Sequence, residues 1–203
     1  MENKINLILD LDETLIHTVK SNDKPLENNK KYINLPNFFG IVHFRKYLQE
    51  FLNYCYTNFT VSFWTASNSL YCKEILKIIL NEEQFKNTKA IFISEENNII
   101  DLKTNKIYKN INSKFKPLDL LWEDKELSES FNRNNTLLID NDPNIVKYNL
   151  DNSIQIDSFL NNDSNNVFCK LSLVLENIKN LINVRSFKKE FYDYDNSCKL
   201  LIE

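Results

Sequence analysis

Residues 7–18 read Leu7-Ile8-Leu9-Asp10-Leu11-Asp12-Glu13-Thr14-Leu15-Ile16-His17-Thr18. The apolar run that begins at Ile5 has the length and flanks of a buried strand. It ends on two aspartates one residue apart, with a threonine two further on. In extended chain, residues 10 and 12 point to the same side, because side chains alternate with period two. Two carboxylates that close repel unless a cation or a shared proton relieves them. The pair therefore binds a metal, runs acid/base chemistry, or opens a solvated loop. A calcium loop would need Asp or Asn at the fifth place, Gly at the sixth and Glu at the twelfth. Thr14, Leu15 and Ser21 stand there instead.

Outward from this stretch, the 203-residue chain has the size of one domain, and a single unit over residues 1–203 is expected. Its 42% hydrophobic and 26% charged residues are those of a globular protein with a real core. A net charge of −3 offers no general attraction to nucleic acid, so no direct nucleic-acid partner is expected. No apolar stretch is long enough for a membrane helix and no signal peptide is evident. A nuclear or cytoplasmic protein, neither secreted nor membrane-spanning, is the expectation, with any targeting supplied by a partner. Cys55, Cys72, Cys169 and Cys198 are widely spaced and read as reduced packing thiols. Gly40 is the only glycine, which excludes both a P-loop and a dinucleotide fingerprint.

Strand and helix signals alternate after the first strand. Residues 17–37 are polar and long for a connection, suggesting a flap over a site, about 17–40. Strands are expected at 39–44, 59–64, 90–94, 135–140 and 153–156. Helices are expected at 44–56, 68–81 (capped by Ser67 or Asn68), 143–149 and 168–183, with a short one after Pro117. Residues 95–115 read as a small antiparallel excursion around a Lys-Thr-Asn-Lys turn, and the last residues as a final helix or a frayed tail. The pattern implies an α/β fold: a mostly parallel central sheet with helices on both faces and a small β insert at about 95–115. In such sheets ligands bind beyond the carboxyl ends of the strands. Three strands deliver Asp10, then Thr65-Ala66-Ser67, then Asp140-Asn141-Asp142 to that edge.

These motifs, in order, resemble those of haloacid-dehalogenase (HAD) phosphatases. The similarity is to the FCP/SCP branch, which acts on the C-terminal domain of RNA polymerase II. Its first motif, D-x-D-x-T, matches Asp10 to Thr14. Its arginine-led helix matches Arg45, though Lys46 stands where a proline is usual. The second motif matches residues 61–67, with the phosphate-binding hydroxyl at Thr65. The third supplies Lys116, and the fourth, D-N-x-P, supplies Asp140 and Asn141. The resemblance covers most of residues 5–182 and implies a HAD-like Rossmannoid fold.

The resemblance also implies a Mg²⁺-dependent phosphatase for phosphoserine or phosphothreonine in a phosphoprotein or phosphopeptide. Asp10 would be the nucleophile, forming an aspartyl-phosphate, and Asp12 the acid and then base. The metal would be held by Asp10, the backbone carbonyl of Asp12 and Asn141, with Asp140 assisting. Thr65 and Lys116 would bind the phosphoryl group. Arg45 and Tyr71 are candidate substrate contacts.

Plainer readings stand beside several of these. Thr65 also reads as a helix cap, Arg45 as a structural ion pair, Tyr71 as core packing. Lys114 competes with Lys116, and Asp142 with Asp140. His17 reads as a flap residue, and Trp64 and Trp122 as core. Glu95 and Glu96 stand where family members often carry a basic residue. A phosphatase for small molecules or nucleic-acid ends, and a protein-binding domain without catalysis, are the rival functions.

Overall fold

The computed structural model describes residues 4–20, 32–35, 40–160 and 166–187. Its strands are β1 (Asn6–Leu9), β2 (Ile16–Lys20), β3 (Tyr32–Leu35), β4 (Gly40–Phe44), β5 (Thr60–Thr65), β6 (Ile91–Glu95), β7 (Asn98–Asp101), β8 (Lys106–Lys109), β9 (Thr136–Asp140) and β10 (Ser153–Gln155). Its α-helices are α1 (Leu48–Asn58), α2 (Ser69–Ile79), α3 (Glu82–Asn87), α4 (Asp119–Glu123), α5 (Pro143–Tyr148) and α6 (Val167–Ile178).

All four residues of β1 are buried, and its side chains divide by the period of two. Leu7 and Leu9 join the apolar cluster that contains the buried faces of α1, α2 and α6. Ile8 joins the opposite cluster, with Trp64, Phe92, Leu138, Leu121 of α4 and Ile145 of α5. Helices thus cover both faces, and β1 must be apolar on both sides, as central parallel strands are. Phe51 of α1 stacks on Phe168 of α6, ring centroids 4.3 Å apart, fixing those two helices against each other.

The central sheet has the order β10-β9-β1-β5-β6-β7-β8. The pairings from β10 through β6 are parallel, and β7 and β8 are antiparallel. The small β insert is therefore a hairpin that extends the sheet edge. It turns at residues 102–105, where the Asp101 carboxylate accepts from Lys103 N (3.0 Å) and Thr104 Oγ1 (2.8 Å).

Part of the expected flap is a second sheet, β2-β4-β3, antiparallel throughout. The rest of it, 21–31 and 36–39, lies outside the described residues, as does the C-terminal segment from 188 and Cys198. Cys55, Cys72 and Cys169 are buried free thiols. Among the described residues no helix is long and apolar enough to cross a membrane.

Helix boundaries moved for local reasons. α1 starts at Leu48, not residue 44, because β4 runs through Phe44 and Tyr47 then turns left-handed at φ 63°. The span expected as one helix over 68–81 ends at Ile79, since Leu80 is extended. The chain restarts at α3 with a capping box in which Asn81 and Gln84 satisfy each other's backbone N–H groups. α6 is shorter than the 168–183 periodicity suggests.

Candidate active site

Register decides what meets at the carboxyl edge. Leu9 is level with Ile139 of β9 and with Phe63 of β5, so the next residues out are Asp10, Asp140 and Trp64. The Asp10 amide donates to the Ile139 carbonyl at 3.1 Å, holding Asp10 in line just past the end of β1.

Between Asp10 and Asp140 lies Lys116. Its Nζ donates to Asp10 Oδ1 at 2.5 Å and to Asp140 Oδ2 at 2.7 Å. All three side chains are buried: the residues are 5%, 1% and 2% exposed for Asp10, Asp140 and Lys116. Lys116 gets there from a short 3-10 turn, Ser113–Phe115, after which it adopts a left-handed backbone at φ 49°. That conformation is uncommon without glycine and is held by its surroundings. Asn149 contributes, donating from Nδ2 to the Phe115 and Lys116 carbonyls. Lys114, the competing lysine, is exposed and lies over the Phe115 ring.

One buried ammonium faces two carboxylates. Burial opposes the Lys116 charge, but Asp10 and Asp140 outweigh it and raise the ammonium above its ordinary range. Burial pushes Asp10 up from 3.8 to about 6, against the pull of Lys116 and with a further push from Asp140.

The loop after β1 turns at once. Glu13 is left-handed at φ 62°, the Leu11 carbonyl accepts from the amides of Thr14, Leu15 and Ile16, and Asp12 bridges to Ile16. This turn brings Thr14 to Asn141, its hydroxyl donating to Asn141 Oδ1 at 3.0 Å. Asn141 follows Asp140, whose carboxylate already shares one lysine with Asp10. The spot is rich in hard oxygen acceptors and short of positive charge, which fits Mg²⁺. Among the described residues no three His, Cys, Asp or Glu side chains gather as a metal cluster. As the family resemblance implies, Mg²⁺ would be held by the Asp10 carboxylate, Asn141 and the Asp12 backbone carbonyl, with Asp140 assisting. Asp142 instead caps α5, accepting from Asn144 N at 2.8 Å.

Asp12 faces α2. The Tyr71 hydroxyl donates to its Oδ1 at 2.7 Å, and the Ser67 hydroxyl to its Oδ2. Thr65, buried at the end of β5, accepts from the Ser67 amide at 3.0 Å, which leaves the Thr65 hydroxyl hydrogen for another oxygen. Asn68, rather than Ser67, caps α2, accepting from Tyr71 N at 2.9 Å. The structure thus gathers Asp10, Asp12, Thr65, Lys116, Asp140 and Asn141 around one sheet edge, with Tyr71 alongside.

Arg45 is different. It is 4% exposed, its guanidinium donates to the Asp157 carbonyl at 2.5 Å, and it lies over the rings of Phe159 and Phe168. It ties the end of β4 to the segment after β10. Ser67, Thr14 and Thr18 are the polar residues that motif reading left without a role. Thr14 stood in the motif. Ser67 lay in the second motif and read as a cap candidate, while Thr18 carried no signal beyond its hydroxyl.

The family model described as NLI interacting factor-like phosphatase (NIF) matches residues 5–185. The CTD small phosphatase-like protein 2 of Dictyostelium discoideum is 28% identical over 190 residues, covering 90% of this chain and 29% of that protein. The CTD phosphatase-like protein 355R of Invertebrate iridescent virus 6 is 28% identical over 169 residues, covering 78% of this chain and 89% of the viral one. A solved structure of Fcp1, titled as an essential RNA polymerase II CTD phosphatase, superposes with a TM-score of 0.56 at 15% identity. That match covers 88% of this chain and 63% of Fcp1, and shows a common fold. The chain therefore spans less than a third of the Dictyostelium protein and under two thirds of the Fcp1 chain. With its mostly parallel HAD-like sheet and the family match running over nearly all of the described residues, the chain belongs to the family of NLI interacting factor-like phosphatases.

Proposed function

We propose that the chain is a Mg²⁺-dependent protein phosphatase that removes phosphate from phosphoserine or phosphothreonine through an aspartyl-phosphate on Asp10. The observation that carries this reading is the buried Asp10–Lys116–Asp140 arrangement beside an Asp12 held by two hydroxyls. Bound Mg²⁺ would offset the charge of the phosphate dianion, which otherwise repels a carboxylate nucleophile.

The chain's own groups do the rest. An Asp10 carboxylate oxygen attacks phosphorus, and the bond from phosphorus to the seryl or threonyl oxygen breaks. That oxygen takes its proton from Asp12. Lys116 and the Thr65 hydroxyl hold the phosphoryl oxygens as charge develops. A water molecule then attacks phosphorus, gives a proton to Asp12, and the bond to Asp10 breaks, restoring the carboxylate.

A protein substrate is supported by the family and by relatives named for CTD phosphatase activity. Around the site, Glu95 and Glu96 at the β6–β7 turn disfavour a second phosphate beside the reacting one. The test is turnover of a phosphopeptide panel, including singly and doubly phosphorylated polymerase-tail repeats, with and without Mg²⁺. Singly phosphorylated peptides are expected to be hydrolysed only with Mg²⁺, and Asp10→Asn to be inactive. Peptide binding without turnover would favour a recognition domain instead, and turnover confined to small esters would move the substrate class.

A further inference from the structure

Asp12 is a short side chain at the start of a loop, half-buried, with three staggered wells open to it. Both of its carboxylate oxygens are nevertheless engaged, by Ser67 and by Tyr71. The Tyr71 hydroxyl in turn lies 2.5 Å from Thr18 Oγ1. Tyr71 has one hydroxyl hydrogen and gives it to Asp12, so Thr18 donates to Tyr71. With Asp12 ionised the chain runs Thr18 to Tyr71 to Asp12, with Ser67 closing from the other side.

Each donor is itself anchored. The Tyr71 backbone is held by the Asn68 cap, and its ring is buried in the core with 8% exposure. The Ser67 amide is held by Thr65, so the hydroxyl that aims Asp12 and the hydroxyl assigned to phosphate move together. Thr18 sits on β2, paired opposite Val42 of β4. Three elements, the β5–α2 turn, α2 and the second sheet, thereby converge on one carboxylate.

We infer that Ser67, Tyr71 and Thr18 are positioning residues that aim Asp12 at the departing oxygen, a role that rests on the phosphatase reading above. Tyr71 on this account acts inward, through Asp12, rather than outward on a substrate. A misaimed acid matters only where the departing oxygen is basic. General acid help is worth about 10²–10⁴-fold, and a small misplacement about 10²-fold of that.

The experiment measures kcat/KM over a series of aryl phosphates of graded leaving-group basicity, together with one phosphoserine peptide. It uses the full chain with Mg²⁺. This parameter reports the steps through departure of the alcohol, so hydrolysis of the phospho-aspartate does not enter. The aryl esters carry no peptide, so loss of a peptide contact leaves their slope unchanged.

Ser67→Ala and Tyr71→Phe are expected to lower kcat/KM for the peptide about tenfold or more, and for the best aryl leaving group by less than about threefold. The dependence on leaving-group basicity becomes steeper. Thr18→Val steepens it less, and Ser67→Thr, which keeps the hydroxyl, retains the wild-type slope. Because Asn68 is the α2 cap, Ser67→Ala leaves the helix start intact, and each variant's melting curve identifies any that is unfolded. An equal loss across the whole series, or no loss, in the folded variants overturns the inference while the phosphatase reading stands. Wild-type protein with no Asp10-dependent turnover of any ester removes the phosphatase reading first.

Discussion

Lys116 is the residue on which most depends. It is a buried cation between two buried acids, and deleting it leaves both carboxylates without their ammonium. Removing one partner of a buried ion pair costs about 3–5 kcal/mol. Lys116→Met should therefore lower unfolding free energy by about that much in urea titrations and should also abolish turnover. Asp10 gives a prediction of sign. Its carboxyl is raised from 3.8 to about 6 by burial, against Lys116 and with Asp140. A raised folded value contributes stability that is complete below about pH 4 and is lost as pH rises through about 6. In Mg²⁺-free buffer, the stability difference between wild type and Asp10→Asn should thus move in favour of the variant across that window. A difference curve flat between those limits would contradict the burial argument. Asp10, Asp12, Thr65, Lys116, Asp140 and Asn141 were readable in the chain because strand ends and motif spacing put them on one edge. Ser67 was readable at the strand end but its bond to Asp12 was not, and Thr18 reaches Asp12 only through Tyr71; both links are tertiary contacts. Nor does anything local announce that the Arg45 guanidinium will lie over two phenylalanines from the far end of the chain.

At the scale of elements, α2 is the one that carries both a structural and a positioning load. Its N-cap is the Asn68 side chain, and caps of this type are worth about 1 kcal/mol. Asn68→Ala should lower stability by about that amount in thermal or urea unfolding, and should loosen the backbone under Tyr71. Asn68→Asp, which keeps an acceptor, should restore most of it. Most strands were legible from apolar runs with turn residues around them. The break between α2 and α3 was not, because Leu80 continues the apolar period while its backbone is extended to bring Asn81 into a cap. Nor was the second sheet: β2 and β3 are short, partly exposed and polar, and their strand character comes from pairing with β4.

For the whole molecule, the parallel order β10-β9-β1-β5-β6 brings strand ends far apart in sequence to one edge, so the site exists only in the folded chain. A ligand that binds the folded state alone stabilises it by mass action, about 2.7 kcal/mol at a hundred times its dissociation constant. Mg²⁺ should accordingly raise the melting temperature of wild-type protein, and Asp10→Asn should lose most of that rise. The alternation of strands and helices made the central sheet legible. The edge hairpin β7–β8 was legible as a hairpin but not as part of the sheet, since antiparallel pairing of β7 with β6 leaves no mark on either sequence.

The most direct test of the central claim, that Asp10 itself takes the phosphoryl group, is acid quench of a single turnover followed by mass spectrometry of the peptide spanning residues 7–20. The account predicts a transient phosphoryl adduct on Asp10 that forms with Mg²⁺ and phosphopeptide and is absent in Asp10→Asn. An adduct on another residue, or undiminished turnover by Asp10→Asn, would contradict it.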